Sequence, residues 1–173
     1  MTSQPFVKGA DEGRAVWHVG ALLKFKATGA ETNGQFWLAE QLSPAGYASP
    51  VHMHTREDEF FVVLEGELII RIGEDEHKLG AGSTAFAPRD IPHQYRVEAE
   101  GTRFLVLGTP AGFEEWFLKT GVPAESLTLP PPAQGPPDFA KLLGALGPLG
   151  VELVGPPPGT DPEGPGSPGG PPD

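Results

Sequence analysis

The sequence predicts an all-β fold of the sandwich or barrel kind, and three observations lead there. Short apolar runs recur about every 8–12 residues, with turn residues between them. Within residues 1–129, 21 of the chain's 45 Gly and Pro residues punctuate those runs. A single stretch before the Pro-rich C-terminal region, residues 112–119, has clear helical apolar spacing.

The elements follow in order. Residues 15–19 and 22–26 are two short apolar runs with Gly20 between them. Residues 35–40 form a strand after the turn set Thr32-Asn33-Gly34. Residues 59–64 and 67–72 are separated by Glu65-Gly66, a hairpin signal. Residues 73–76 turn the chain, and residues 83–87, 94–98 and 103–107 supply three more strands. Phe113, Trp116 and Phe117, spaced i, i+3, i+4, lie on one face of a short helix that packs on the barrel or on a partner. Residues 123–127 predict another helical turn, and residues 138–146 a weak helix between breakers.

These elements divide the chain into an N-terminal arm (1–13), a β-barrel (14–110), a helical extension (111–129) and a Pro/Gly-rich tail (130–173). The tail holds 24 of the 45 Gly and Pro residues. It is expected to be largely disordered, above all over residues 155–173, because it buries too little to offset its ordering entropy.

Composition excludes several functions. With 12 Lys and Arg against 23 Asp and Glu, the net charge is −11, and the cations are scattered singly. Such a chain repels phosphate backbones and anionic lipid, so neither nucleic acid nor membrane is an expected partner. No apolar run reaches the ~18–20 residues of a membrane span. The polar N-terminus lacks the apolar core of a signal peptide, so the expected location is cytoplasmic. There is no Cys. Disulfides and thiolate ligands are therefore excluded, and any metal must be held by His and carboxylate.

Such a group exists. His52 and His54 are spaced i, i+2, which on a strand puts both rings on one face. Glu59 opens the next apolar run, and His93 follows Pro92. Three imidazoles and a carboxylate suit Fe, Mn, Co, Ni, Cu or Zn, one ion per chain. Positions left open on the ion would suit catalysis rather than a structural role.

The spacing around these residues resembles the two cupin motifs. Gly46, His52, His54, Glu59 and Gly66 match the fixed positions of the first, and Gly82, Pro88 and His93 those of the second. Asp90 stands where the second motif usually has Gly, and Val97 where it has Asn. The resemblance covers roughly residues 14–110 and implies a double-stranded β-helix, the cupin jelly-roll barrel. Cupin spacing admits three or four residues before the acid, so Asp58 competes with Glu59. Four keeps Gly66 in register and favours Glu59, leaving Glu57 and Asp58 as solvent-exposed loop acids.

Beyond the motifs, His93-Gln94-Tyr95-Arg96 and the stretches 112–117 and 121–125 resemble bacterial quercetinase-type cupins. This implies a quercetin 2,3-dioxygenase-like reaction with O2 on a flavonol-like or other enolisable small molecule, with Glu59 as base. Rival readings are an O2-independent metal-dependent isomerase, cyclase or decarboxylase, and a non-enzymatic small-ligand binder. Alternation places Phe61 and Val63 on the face of Glu59, and Tyr95 and Val97 on the face of His93. The preceding strand lines the interior with Phe36 and Leu38, or in the other register with Gln35 and Trp37. Tyr95, Phe61 and Phe36 are the substrate-binding candidates. Phe86 is expected in the core, Arg96 outward, His77 on the surface and His18 at the core edge or an interface. Single-domain cupins commonly pair, so a homodimer is expected, with Leu22, Leu23 and the Phe113/Trp116/Phe117 stripe as its contact.

Overall fold

A computed structural model describes residues 4–155. Two antiparallel sheets enclose one core. The first carries β1 (Arg14–His18), β2 (Ala21–Ala27), β3 (Trp37–Ser43), β5 (Asp58–Glu65), β8 (Thr84–Ala87), β10 (Thr102–Thr109) and the two-residue β11 (Val122–Pro123). Their order is β11-β1-β2-β3-β10-β5-β8. The second carries β4 (Val51–His54), β6 (Glu67–Ile72), β7 (Asp75–Gly80), β9 (His93–Val97) and β12 (Val151–Gly155), in the order β12-β4-β9-β6-β7. Among the described residues there are also three short α-helices: α1 (Gly29–Thr32), α2 (Glu114–Thr120) and α3 (Phe139–Gly144). None of them is long and apolar enough to cross a membrane.

Strand alternation builds the interior. Along β3 the buried residues are Trp37, Ala39, Gln41 and Ser43; along β10 they include Thr102, Phe104 and Val106. They face Leu68, Ile70 and Val97 of the second sheet in one continuous cluster. The first two runs pair as antiparallel β1 and β2, with Arg14 opposite Phe25 and His18 opposite Ala21.

Gly66 does not turn a hairpin. β5 pairs with β10 and β8, whereas β6 pairs with β7 and β9, so Gly66 is a corner where the chain crosses between sheets. Its φ is +80°, and a Cβ there would collide with the Thr102 backbone and side chain. Turn chemistry at this corner is the same as in a hairpin; the pairing partners differ. Asp90, where Gly was usual, takes φ +65°, a left-handed conformation that Asp tolerates, and its N–H donates to the His54 carbonyl at 2.8 Å. The turn ahead of His93 is thereby kept.

Other expectations are corrected. β7 was not anticipated because Leu79 is its one buried side chain. Residues 123–127 are not helical; Val122 and Pro123 pair with β1 instead. Phe86 is 54% exposed, opposite Phe60 on the outer face of the edge strand β8. Leu22 and Leu23 are buried within the chain, as are Phe113 and Phe117. The helical stripe packs inward on Trp37 and Phe25, so it is not free for a partner.

The tail divides. Residues 130–155 contain α3, within the weak helix predicted over 138–146, and also a 3-10 turn (Gly147–Leu149) and β12 where disorder was expected. Burial of Leu146 and Val151, pairing of β12 with β4, and the Trp116 indole donating to the Leu142 carbonyl at 2.9 Å supply what composition alone does not. The expectation for residues 156–173 lies outside the described residues.

Candidate metal centre

His52 and His54 project from β4 to the same side, both buried. His93 starts β9 directly opposite His52. Glu59 reaches in from β5 on the other sheet. One ligand atom from each of these four lies within 4.8 Å of every other. The His52 ring lies 4.4 Å from that of His93 and 5.0 Å from that of His54, centroid to centroid. Glu59 Oε2 sits 3.1 Å from His93 Nε2 and 3.7 Å from His54 Nε2.

The polar partners suit a cation. His52 Nδ1 and His93 Nδ1 contact the backbone carbonyls of Pro50 and Ile91, at 2.9 and 3.1 Å. A carbonyl only accepts, so Nδ1 carries the proton in each ring and Nε2 is turned to the cluster. His93 Nε2 then faces the Glu59 carboxylate, so that contact requires a proton or a metal ion between two lone pairs. His54 is 1% exposed, and among the described residues neither of its nitrogens has a hydrogen-bond partner. A buried imidazole so placed, 3.7 Å from a carboxylate, suits a metal ligand. The residues therefore fit a single divalent transition metal.

Electrostatics point the same way. Burial pushes His52 down to about 3, helped by the neighbouring His93, and burial also lowers His54. Both rings are thus neutral, as ligands must be. Burial opposes ionisation of Glu59, but His54 and the His93 hydrogen bond prevail and hold its carboxyl below the usual range. His93 is shifted the other way: burial lowers it, and the Glu59 hydrogen bond and charge raise it further.

Asp58 does not join the cluster. It forms a two-pronged ion pair with Arg89, Oδ1 to Nε at 3.0 Å and Oδ2 to Nη2 at 2.8 Å. Glu57 was expected in solvent, yet it is 4% exposed. Its Oε1 accepts from the Trp37 indole at 3.2 Å and stands 3.7 Å from His54 Nδ1. Its Oε2 accepts from the Phe113 backbone N–H at 3.2 Å. Burial, with Glu59 nearby, pushes Glu57 up to about 9. Glu57 stands beside His54 Nδ1, and is itself anchored to β3 by Trp37 and to the start of α2 by Phe113.

A cavity of about 160 Å3 opens on His52 and Glu59. Phe61 and Tyr95 line it as expected by alternation, and the Tyr95 hydroxyl is engaged by the Gln41 amide at 3.0 Å. Phe36 does not line it. It lies ahead of β3, and Trp37 and Gln41 face inward, so the strand adopts the other of its two registers. Phe113, Trp116 and three residues of α3 (Phe139, Leu142, Leu143) close the cavity. Sequence reasoning placed the α3 residues on a weak helix within the tail, with no sign that they pack on this cavity. Arg96 pairs with Glu98, and His77 is exposed, as expected.

Residues 39–108 match the cupin domain family. That match lies wholly within the barrel. Over 126 residues this chain is 28% identical to quercetin 2,3-dioxygenase of Bacillus subtilis, a match covering 73% of this chain and 37% of that protein. The chain thus spans little more than a third of that relative's length. Among solved structures, KdgF from Halomonas sp. superposes with a TM-score of 0.57 at 16% identity, over 65% of this chain and 99% of that chain. A sugar phosphate isomerase of the cupin superfamily from Silicibacter pomeroyi superposes with a TM-score of 0.50 at 26% identity, over 61% and 75% of the two chains.

Proposed function

We propose that this chain is a metal-dependent cupin, a dioxygenase acting on a flavonol-like or other enolisable small molecule, with Glu59 as the base. The observation that carries the reading is the buried three-His, one-Glu cluster at the end of an aromatic-walled cavity. No Lys or Arg lines that cavity among the described residues. Flat apolar molecules suit such walls. A divalent metal held by His52, His54, Glu59 and His93 would supply Lewis acidity and access to O2 chemistry.

The chain's own groups supply the rest. Glu59, kept ionised by its His neighbours, takes the proton of an acidic enol or phenol hydroxyl at Oε2. His52, His54 and His93 would suffice to hold the metal, which would leave the Glu59 carboxylate available for that task. Phe61, Trp37 and Phe113 exclude water and orient the ring, while Tyr95, held by Gln41, fixes the back wall. The 28% identical quercetin 2,3-dioxygenase supports this reading.

An O2-independent isomerase or decarboxylase is the second reading, and the sugar phosphate isomerase relative favours it. A phosphate ester is usually gripped by Lys or Arg, however, and among the described residues neither lines this cavity. Loss of the quercetin absorbance band in air, and none under argon, tests the dioxygenase reading. Oxygen-independent turnover supports the second reading, and tight binding without turnover a ligand carrier. Homodimerisation is proposed on the family resemblance alone, and light scattering on the purified chain tests it.

A further inference from the structure

Two cavities meet at His18. The outer one, about 410 Å3, lies between the β1–β2 turn, the end of α2 and residues 130–142. The inner one leads to His52 and Glu59. His18, Val19 and Leu142 line both. His18 is 2% exposed, its ring packed edge-on against Trp116 and Phe117 at centroid distances of 4.4 and 5.1 Å.

Its tautomer is fixed by a short relay. The Thr120 hydroxyl donates its one proton to the Trp116 carbonyl, 2.6 Å away. Toward His18 Nε2, at 2.9 Å, that hydroxyl oxygen can therefore only accept. Nε2 carries the proton and Nδ1 carries the lone pair. Nδ1 is buried and, among the described residues, has no hydrogen-bond partner. Burial, with Lys141 nearby, pushes His18 down to about 4, so the ring stays neutral at physiological pH.

We propose that His18 Nδ1 is a fixed hydrogen-bond acceptor for a ligand hydroxyl, forming a second recognition point remote from the metal cluster. This rests on the dioxygenase reading and narrows its substrate class. The ligand is an aromatic molecule with at least two hydroxyls, one handled at Glu59 and another read at His18. A neutral lone pair among Trp and Phe rings attracts a hydroxyl donor and repels phosphate or carboxylate. A methyl ether at the same place would leave Nδ1 unpaired and is disfavoured.

The test compares binding of 2-naphthol and 2-methoxynaphthalene to the zinc-incubated full chain, followed by tryptophan fluorescence. Wild type should prefer the naphthol by about tenfold, the ratio a single hydrogen bond commonly confers. His18→Phe should bring that ratio to about one while binding of the ether is kept. Thr120→Val, which leaves His18 in place but releases its tautomer, should lower the ratio too. A purely structural His18 would change both affinities together and leave the ratio alone. The preference should persist in His52→Ala, whose metal cluster is broken. An unchanged ratio in both His18→Phe and Thr120→Val overturns the proposal, as does a preference that vanishes only in His52→Ala. A His18-dependent ratio in a protein that never consumes O2 would keep this proposal and sink the dioxygenase reading alone.

Discussion

Val151 lies directly opposite His54 across the β12–β4 ladder. The last described strand, which follows a Pro-rich stretch, is thus built onto the strand that carries two of the four cluster residues. Leu153 opposite His52 extends the same register. Val151 is 5% exposed and belongs to the core cluster. Val151→Ala should therefore cost roughly 1–3 kcal/mol in denaturant unfolding. It should also speed transfer of bound metal to a chromogenic chelator, although residue 151 offers no ligand atom. An unchanged transfer rate would mean that β4 holds its geometry without β12.

Asp58 and Glu59 are adjacent in sequence and separate in chemistry. Glu59→Gln should reduce metal content measured by elemental analysis, because an amide oxygen is a weak substitute for a carboxylate. Asp58→Asn should leave the metal content at the wild-type level. Its ion pair with Arg89 is partly exposed, so losing it should cost less than about 1 kcal/mol. Metal loss in Asp58→Asn matching that in Glu59→Gln would contradict the assignment of Glu59.

Glu57 accepts one N–H donor on each of its two oxygens, from Trp37 and from Phe113. A glutamine cannot replace it without cost. Its amide nitrogen would face one of those donors, leaving a buried N–H unpaired at roughly 1–3 kcal/mol. Glu57→Gln should accordingly lower the midpoint of urea unfolding and alter the emission of Trp37. Stability equal to wild type would show that the pocket rearranges around residue 57.

The cluster was legible because a strand's two-residue period is rigid. His52 and His54 had to share a face once β4 formed, and the spacing to Glu59 and His93 carried the rest. Glu57 was not legible. It is one of four successive charged or acidic residues, 56–59, and which of them turns inward depends on where β5 starts and on donors from β3 and α2. Phe36 was misassigned for a related reason. Both registers of that strand place one aromatic residue inside, and packing of Trp37 against Phe25, Phe113 and Phe117 decides between them. β12 escaped because a short Val-Glu-Leu-Val run among prolines has no local signal strong enough to outweigh its neighbours; β4 supplies the pairing.

Acid should weaken the fold in part through His18. In the folded chain burial pushes this ring down to about 4, whereas an unfolded chain titrates it near 6.5. Below about pH 6.5 the unfolded chain binds a proton that the folded chain refuses, so the unfolded state gains. The stabilising contribution is complete above about pH 7 and is lost as pH falls from 6.5 toward 4. Linkage puts the loss between pH 7 and pH 5 at about 2 kcal/mol. His93, raised rather than lowered, works in the opposite direction, and the carboxylates contribute to both proteins alike. The informative quantity is therefore the difference between wild type and His18→Phe, taken from urea unfolding at pH 7 and at pH 5. The variant should lose about 2 kcal/mol less than wild type over that interval. Equal losses would mean that the folded chain protonates His18 as readily as the unfolded one does, and that packing against Trp116 and Phe117 does not hold the ring neutral.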